Sequence, residues 1–139
     1  MDFLDTNVLV YAASGLPADR DKTRIARALT GGSGVAISLQ VLQEFYVAAR
    51  QPKKMGFTHT EAVAYCQQWQ KRFTVLEPTV PLFEHALSLC QRFQVGYFDA
   101  SILAAAAALR CAVVYSEDLN HGKNYEGVRV ENPFRQKRA

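Results

Sequence analysis

The chain has 139 residues, of which 49% are hydrophobic and 21% are charged, a balance typical of a folded globular domain. No apolar run approaches the roughly 20 residues of a membrane span, and the start lacks a signal-peptide pattern, so we expect a cytoplasmic protein. The net charge of +3 permits a nucleic-acid partner but does not require one. We expect one domain over residues 1–139, with residues 132–139 as a short basic tail.

Short β-prone runs alternate with helix-like runs along the chain. Apolar runs bounded by turn or polar residues predict five strands, at residues 2–4, 35–38, 73–76, 112–115 and 128–130. Cap residues, stop signals and periodicity predict helices over residues 19–29, 39–49, 58–72, 79–93 and 97–109. Such alternation is typical of an α/β fold with a parallel sheet and helices on both faces.

A carboxylate interrupts the apolar start of the chain. Residues 3–11 are mostly apolar and β-prone, yet Asp5, Thr6 and Asn7 stand among them. An unpaired buried charge is costly, so either the strand ends there or the carboxylate has a function. In parallel sheets ligands bind beyond the carboxyl ends of the strands, and Asp5 is expected at that edge.

Three further acids are candidates for the same edge. Glu44 stands in a predicted helix that is apolar nearly all round, and Asp99 begins the Ala-rich helix that leads to the fourth strand. Asp118 lies just past the fourth strand, two positions after Ser116. The topology therefore allows all four carboxylates to meet.

Each acid also has a structural interpretation. Asp99 fits a helix N-cap, Asp118 a turn residue after a strand, and Asp5 an Asx-turn with Asn7. Glu44 is the hardest to explain this way, because a glutamate among apolar residues is rarely buried unless it is paired.

The four acids together indicate a cation. Two carboxylates about 5 Å apart repel by roughly 3 kcal/mol at an effective dielectric constant near 20, so a dry ionised cluster needs a counter-ion. The three cysteines have no CxxC or zinc spacing and suit buried apolar positions. Ligation by oxygen alone suits Mg²⁺ or Mn²⁺.

Two neighbours of Asp118 have open roles. Glu117 would point away from Asp118 if the backbone there is extended. His121 could approach a phosphate, but a loop position beside Gly122 is the simpler interpretation.

Four segments carry a resemblance to a known family. These are DTNVLVYA from Asp5, QEFY around Glu44, FDASILAAA from Phe98 and SEDLNHG from Ser116. In this order and spacing they resemble the PIN domain, and most of all the VapC group of bacterial toxin ribonucleases. The resemblance covers essentially the whole chain, to the ENPF of the tail. It implies a five-stranded parallel sheet in the order 3-2-1-4-5.

The resemblance also implies an activity and partners. Such proteins are Mg²⁺- or Mn²⁺-dependent endoribonucleases, whose acidic cluster corresponds here to Asp5, Glu44, Asp99 and Asp118. The small polar residues that support the cluster correspond to Thr6, Asn7 and Ser116. An RNA substrate, a cognate antitoxin and a homodimer are implied as partners.

Other functions fit the sequence less well. An aspartyl phosphatase would need a second aspartate at position 7, where Asn7 stands, and a receiver domain would need one after the third strand, where Glu77 stands. A housekeeping PIN-type RNA-processing nuclease and an inactive RNA- or protein-binding module remain as alternatives. The predicted helix over residues 58–72, with Tyr65 and Trp69 at i,i+4 spacing, is a candidate contact surface for a partner, unless Trp69 simply packs on the sheet.

Overall fold

The computed structural model describes residues 1–135, and at its centre lies a six-stranded sheet. The strands are β1 (Asp2–Leu4), β2 (Val35–Ser38), β3 (Thr74–Leu76), β4 (Val113–Tyr115), β5 (Asn124–Tyr125) and β6 (Val128–Glu131). They lie in the order β3-β2-β1-β4-β6-β5, and all neighbours pair in parallel except β5 and β6. The predicted order 3-2-1-4-5 and the parallel pairing are confirmed for the five predicted strands, of which β6 is the fifth. The predicted strand number is corrected from five to six, because β5 adds an antiparallel edge strand.

The additional strand β5 forms a short hairpin with β6. Tyr125 pairs with Val128, so only Glu126 and Gly127 form the loop, and both have positive φ angles, of 54° and 99°. Positive φ at both loop positions is typical of a type I′ turn, which usually carries Asn-Gly or Asp-Gly. Glutamate is an uncommon residue in this conformation, which explains why the hairpin was not predicted.

Six α-helices surround the sheet in the described residues. They are α1 (Thr6–Ala13), α2 (Arg20–Thr30), α3 (Leu39–Arg50), α4 (His59–Arg72), α5 (Val80–Phe93) and α6 (Tyr97–Ala108), with a 3₁₀ turn at Pro17–Asp19. Ser38 and Thr79 cap α3 and α5, and Thr58 and Glu61 form the predicted capping box of α4. Helix α1 packs on α2 and α3, and α3 on α4, while α5 and α6 pack on each other. None of the helices in residues 1–135 is both long and apolar enough to span a bilayer.

Helix α1 was not predicted. Strand β1 ends at Leu4, and the β-prone residues that follow form a helix of only eight residues. Asp5 caps this helix by accepting a hydrogen bond from the N–H group of Thr6 at 2.7 Å. The helix buries Val8 and Leu9, so packing stabilises it despite its short length and its β-branched residues.

Trp69 of α4 belongs to the interior of the fold. Trp69 is only 4% exposed, and its ring centre lies 4.7 Å from that of Phe45 and 5.3 Å from that of Tyr65. Trp69 is therefore too buried to form part of a contact surface, and its packing against Phe45 of α3 agrees with the alternative that it belongs to the core. Tyr65, one turn earlier on the same face of α4, is only partly buried.

The start of the predicted basic tail is packed rather than fully solvated. Phe134 is partly buried, and its ring centre lies 4.9 Å from that of Tyr11 in an edge-on contact. Two of the basic residues assigned to the tail, Lys137 and Arg138, lie outside the described residues.

Candidate active site

Asp5 lies buried at the carboxyl edge of the sheet, where β1 ends and α1 begins. Its side chain is 7% exposed and accepts two hydrogen bonds of 2.7 Å, from the Ser116 hydroxyl to Oδ2 and from the Thr6 N–H group to Oδ1. Burial raises the pKa of Asp5 from 3.8 to about 6, against the effect of these hydrogen bonds, and the charges of Glu44 and Asp118 add to the increase. The fold thus holds a carboxylate where ionisation is costly.

Asp118 reaches the same edge because β4 pairs with β1. The pairing places Tyr115 opposite Leu4, and the Asp5 N–H group donates to the Tyr115 carbonyl at 3.0 Å. Just past β4, the Ser116 hydroxyl oxygen accepts a hydrogen bond from the Asp118 N–H group at 3.2 Å. Ser116 therefore connects the buried carboxylate to the backbone of the exposed one.

Asn7 makes a second connection, between the start of α1 and the segment that follows β4. Its amide Nδ2 donates to Asp118 Oδ2 at 3.2 Å, and its Oδ1 accepts from the Glu117 N–H group at 3.2 Å. Asn7 and Ser116 thus both contact the acidic residues that they were predicted to support. Thr6 supplies its backbone N–H to Asp5, while its buried hydroxyl has no partner among the described residues.

Asp99 lies in the first turn of α6 and is partly buried. The N-cap of this helix is Gly96, so the interpretation of Asp99 as the helix cap is wrong. Burial and the negative charge of Asp118 both raise the pKa of Asp99. Its neighbours along the helix, Ile102 and Leu103, are buried as predicted.

Glu44 approaches the cluster from α3, but it is exposed. Its Oε1 accepts a hydrogen bond from Gln40 Nε2 at 2.9 Å, one helical turn earlier. The expectation that Glu44 is buried in an apolar helix is wrong, because α3 turns a face with Gln40, Gln43 and Val47 away from the core. Its charge nevertheless adds to the raised pKa of Asp5.

Glu117 is occupied by partners that the sequence did not reveal. Its carboxylate forms an ion pair with Lys22 and accepts a hydrogen bond from the Tyr11 hydroxyl at 2.8 Å. The bond to Glu117 raises the pKa of Lys22, and the Lys22 ammonium lies 4.9 Å from the centre of the Tyr11 ring. Lys22 and Tyr11 are each more than 90 positions from Glu117 in the sequence, and only the fold brings them together. No local sequence pattern therefore signals the contact.

His121 has a structural role. Its Nδ1 accepts a hydrogen bond from the Asn132 N–H group at 3.0 Å. This contact holds the C-terminal segment against the loop after β4, in agreement with the interpretation of His121 as a loop residue.

A groove of about 490 Å³ opens over this edge of the sheet. Glu44 and Asp118 line it, together with Thr6 and Asn7, whereas Asp5 and Asp99 do not line its surface. Lys53 and Lys54, from the connection between α3 and α4, line the same groove. The groove thus combines carboxylates with two lysines, which suits a substrate that carries negative charge.

The donor set agrees with a hard cation. Within residues 1–135 no three His, Cys, Asp or Glu side chains converge closely enough to surround an ion as they stand. In the same range no lysine or arginine lies within 4 Å of the carboxylates of Asp5, Glu44, Asp99 and Asp118, so their charge is uncompensated. Glu44 and Asp118 are exposed, each with one oxygen that accepts a hydrogen bond and one without a protein partner among the described residues, and carboxylate oxygens are the ligands that Mg²⁺ and Mn²⁺ prefer.

Comparisons with known proteins identify the fold. The chain matches the family model of the PIN domain over residues 3–126. No curated protein matches the chain in a sequence search.

Solved structures with the same fold are distant in sequence. The Mycobacterium tuberculosis toxin VapC20, described as cleaving the sarcin–ricin loop, is 20% identical, with a TM-score of 0.67 over 85% of this chain and 90% of that chain. A toxin–antitoxin complex from Klebsiella pneumoniae is 21% identical, with a TM-score of 0.71 over 96% of this chain and 98% of that chain. FitAcB from Neisseria gonorrhoeae is 19% identical, with a TM-score of 0.64 over 98% of this chain and 100% of that chain.

Proposed function

This chain belongs to the PIN-domain family, and from that premise we propose that it is an endoribonuclease that hydrolyses RNA phosphodiester bonds with Mg²⁺ or Mn²⁺. The observation that carries the proposal is the meeting of Asp5 and Asp118 at the carboxyl edge of the sheet, where Ser116 connects the Asp5 carboxylate to the Asp118 backbone and Asn7 binds the Asp118 carboxylate. A carboxylate whose pKa is raised by burial, with a further contribution from nearby like charges, is typical of a functional site.

In this proposal Asp5, Asp99 and Asp118 hold one or two divalent ions, and Glu44 completes the site, as a ligand or through water. A bound ion would lower the pKa of a water molecule and stabilise the charge that develops on the phosphate.

The surrounding residues would keep the carboxylates in place. Ser116 and the Thr6 N–H group hold one oxygen each of Asp5, and Asn7 holds one oxygen of Asp118. In each carboxylate this leaves lone pairs free to bind an ion, while rotation of the group is restricted. Such contacts orient ligands in known metal sites.

We further propose that the protein is the toxin of a toxin–antitoxin pair in the cytoplasm. The support is its fold, which the VapC20 toxin and the toxin–antitoxin complex from Klebsiella pneumoniae share. A housekeeping RNA-processing nuclease and an inactive binding module are the alternatives. Expression without a partner should stop growth if the protein is a toxin, and Asp99→Asn should remove that effect.

A homodimer is part of the same proposal. Val80, Phe83 and Leu87 share one face of α5, and Tyr97 and Phe98 continue this apolar surface at the start of α6, where Phe98 is 68% exposed. The ring centres of Phe83 and Tyr97 lie 5.8 Å apart, and those of Tyr97 and Phe98 lie 5.3 Å apart. A contiguous apolar patch of this kind is typical of an interface, and we assign it to a second copy of the chain.

The decisive experiment measures RNA cleavage. Purified protein should cut single-stranded RNA in Mg²⁺ or Mn²⁺ and stop when EDTA is added. The Asp5→Asn and Asp99→Asn variants should be inactive under all of these conditions. Undiminished cleavage by either variant would refute the assignment of the site.

A further inference from the structure

We propose that the arginines of α2 form a second part of the substrate site, which binds phosphates of the RNA strand on one side of the acidic groove. The inference rests on the proposed ribonuclease function and extends it, because it states where the rest of the strand lies.

The arginines line a cleft of their own. This cleft, of about 490 Å³, lies between α2 and the connection that joins α1 to α2. Arg20, Arg24 and Arg27 all line it. Their spacing of four and three residues places the three side chains on one face of the helix, so their charges act on the same volume.

Their charges are only weakly satisfied by the protein. Arg24 lies 3.7 Å from Asp21, but both side chains are highly exposed, and such a pair contributes little. Arg27 donates from Nε to the Ala12 carbonyl at 3.0 Å, which fixes its position without neutralising it. Arg20 has no ion-pair partner within residues 1–135.

A buried hydroxyl adds a second observation. Thr23 lies between the arginines on the same lining, and its Oγ1 is buried without a hydrogen-bond partner among the described residues. An unsatisfied buried hydroxyl is costly, and rotation of the Thr23 side chain towards the cleft would let a bound anion accept its hydrogen bond. Guanidinium groups bind phosphate oxygens through two parallel hydrogen bonds, so the chemistry of the cleft suits a phosphate.

The position of the cleft favours a nucleic-acid strand as its ligand. Leu16 lines both this cleft and the acidic groove, so the two are adjacent. Lys53 and Lys54 line the acidic groove itself. A strand that crosses the carboxylates would therefore meet lysines within the groove and arginines in the adjoining cleft, whose charges would offset the repulsion between phosphates and the acidic cluster.

Binding of a fluorescent single-stranded RNA oligonucleotide tests the proposal. We would compare Arg20→Gln and Arg24→Gln in an Asp99→Asn background, so that the RNA stays intact, and follow anisotropy as the salt concentration changes. Each substitution should weaken binding about three- to tenfold and reduce the slope of log affinity against log salt by about 0.7, for one lost phosphate contact. The loss should be the same for oligonucleotides of different sequence, because phosphates carry no sequence information.

Arg72→Gln is the matched control. Arg72 ends α4, just before β3 begins, so it lies at the amino edge of the sheet, opposite the proposed site. The Arg72→Gln substitution should leave both the RNA affinity and its salt dependence unchanged. Melting curves of all variants establish that they are folded.

The outcomes separate this inference from the function on which it rests. If the unsubstituted protein neither binds nor cleaves RNA, the proposed function fails. If it does both, and Arg20→Gln and Arg24→Gln bind RNA as tightly as the background protein, only the phosphate cleft is refuted. The phosphate cleft is also refuted if these two variants lose binding to an oligoglutamate peptide while their RNA binding is unchanged. The cleft would then be a site for an acidic protein segment.

Discussion

The Ser116 hydroxyl donates a 2.7 Å hydrogen bond to Asp5 Oδ2, although 111 positions separate the two residues. Both side chains are buried, and the bond joins the end of β4 to the end of β1 at the point where the strand order reverses. It favours the ionised form of Asp5, yet burial has the larger effect on the pKa. At neutral pH the fold therefore holds Asp5 in its ionised form, and this lowers the stability of the folded protein.

Replacing Asp5 by asparagine should stabilise the metal-free protein at high pH. A folded pKa of about 6 lies above the ordinary value of 3.8, so the penalty is absent below about pH 4 and grows as the pH rises through 6. A shift of this size corresponds to about 3 kcal/mol. Urea unfolding in EDTA should show Asp5→Asn more stable than wild type at pH 8, with the difference vanishing near pH 4.

Asp21→Asn provides the matched comparison for this experiment. Asp21 is exposed on α2 and has only the long contact with Arg24. Its replacement should change the free energy of unfolding little at either pH. Equal unfolding free energies for wild type and Asp5→Asn at pH 8 would mean that Asp5 is not strained.

Magnesium should stabilise the wild-type protein more than the Asp99→Asn variant. In EDTA the Asp99→Asn variant loses the repulsion from Asp118, but it also loses a favourable negative charge in the first turn of α6. Its increase in stability should therefore be smaller than that of Asp5→Asn. A ligand that binds only the folded state adds about 2.7 kcal/mol at a hundredfold excess over its Kd. Thermal melts with and without Mg²⁺ measure both effects, and equal Mg²⁺ shifts for the two proteins would exclude Asp99 as a ligand.

The sequence predicted the location of the site better than its details. Alternating strands and helices imply parallel pairing, and the crossover rule then places Asp5 and Asp118 at one edge. The burial of Glu44 was misjudged, because the residues around it are apolar but the helix face that carries it also carries Gln40. Burial depends on which face packs on the core, and local sequence does not determine that alone.

The elements that were missed are those held by long-range contacts. Helix α1 is too short and too rich in β-branched residues to be recognised from propensity, and it exists because Asp5 caps it and the core covers it. Strand β5 has only two residues and depends on β6. Lys22 reaches Glu117 across 95 positions, which no local pattern reports.

Polar substitution of the apolar surface on α5 and α6 should weaken the proposed dimer. Phe83→Ser and Leu87→Ser each remove a large exposed side chain, and neither residue is needed for the core. We expect light scattering at micromolar concentration to show a dimer for wild type and a shift towards monomer for both variants. Val47→Ser, at an apolar position on α3 that is more exposed than either, should remain dimeric. A monomeric wild type would contradict the assignment of this surface.

Glu117 and Asp118 are adjacent, yet we expect their substitutions to differ sharply. Lys22 and Tyr11 occupy the Glu117 carboxylate, whereas Asp118 is exposed in the groove and held by Asn7 through one oxygen only. Glu117→Gln should retain the hydrogen bond from Tyr11 and lower RNA cleavage by less than about tenfold, in the range of changes around a metal site. Asp118→Asn should lower cleavage by more than about a hundredfold and reduce the Mg²⁺-induced rise in melting temperature. Because the two variants remove one negative charge each from neighbouring positions, a general electrostatic effect would make them equal. Equal losses would therefore show that charge near the groove matters more than ligation by Asp118.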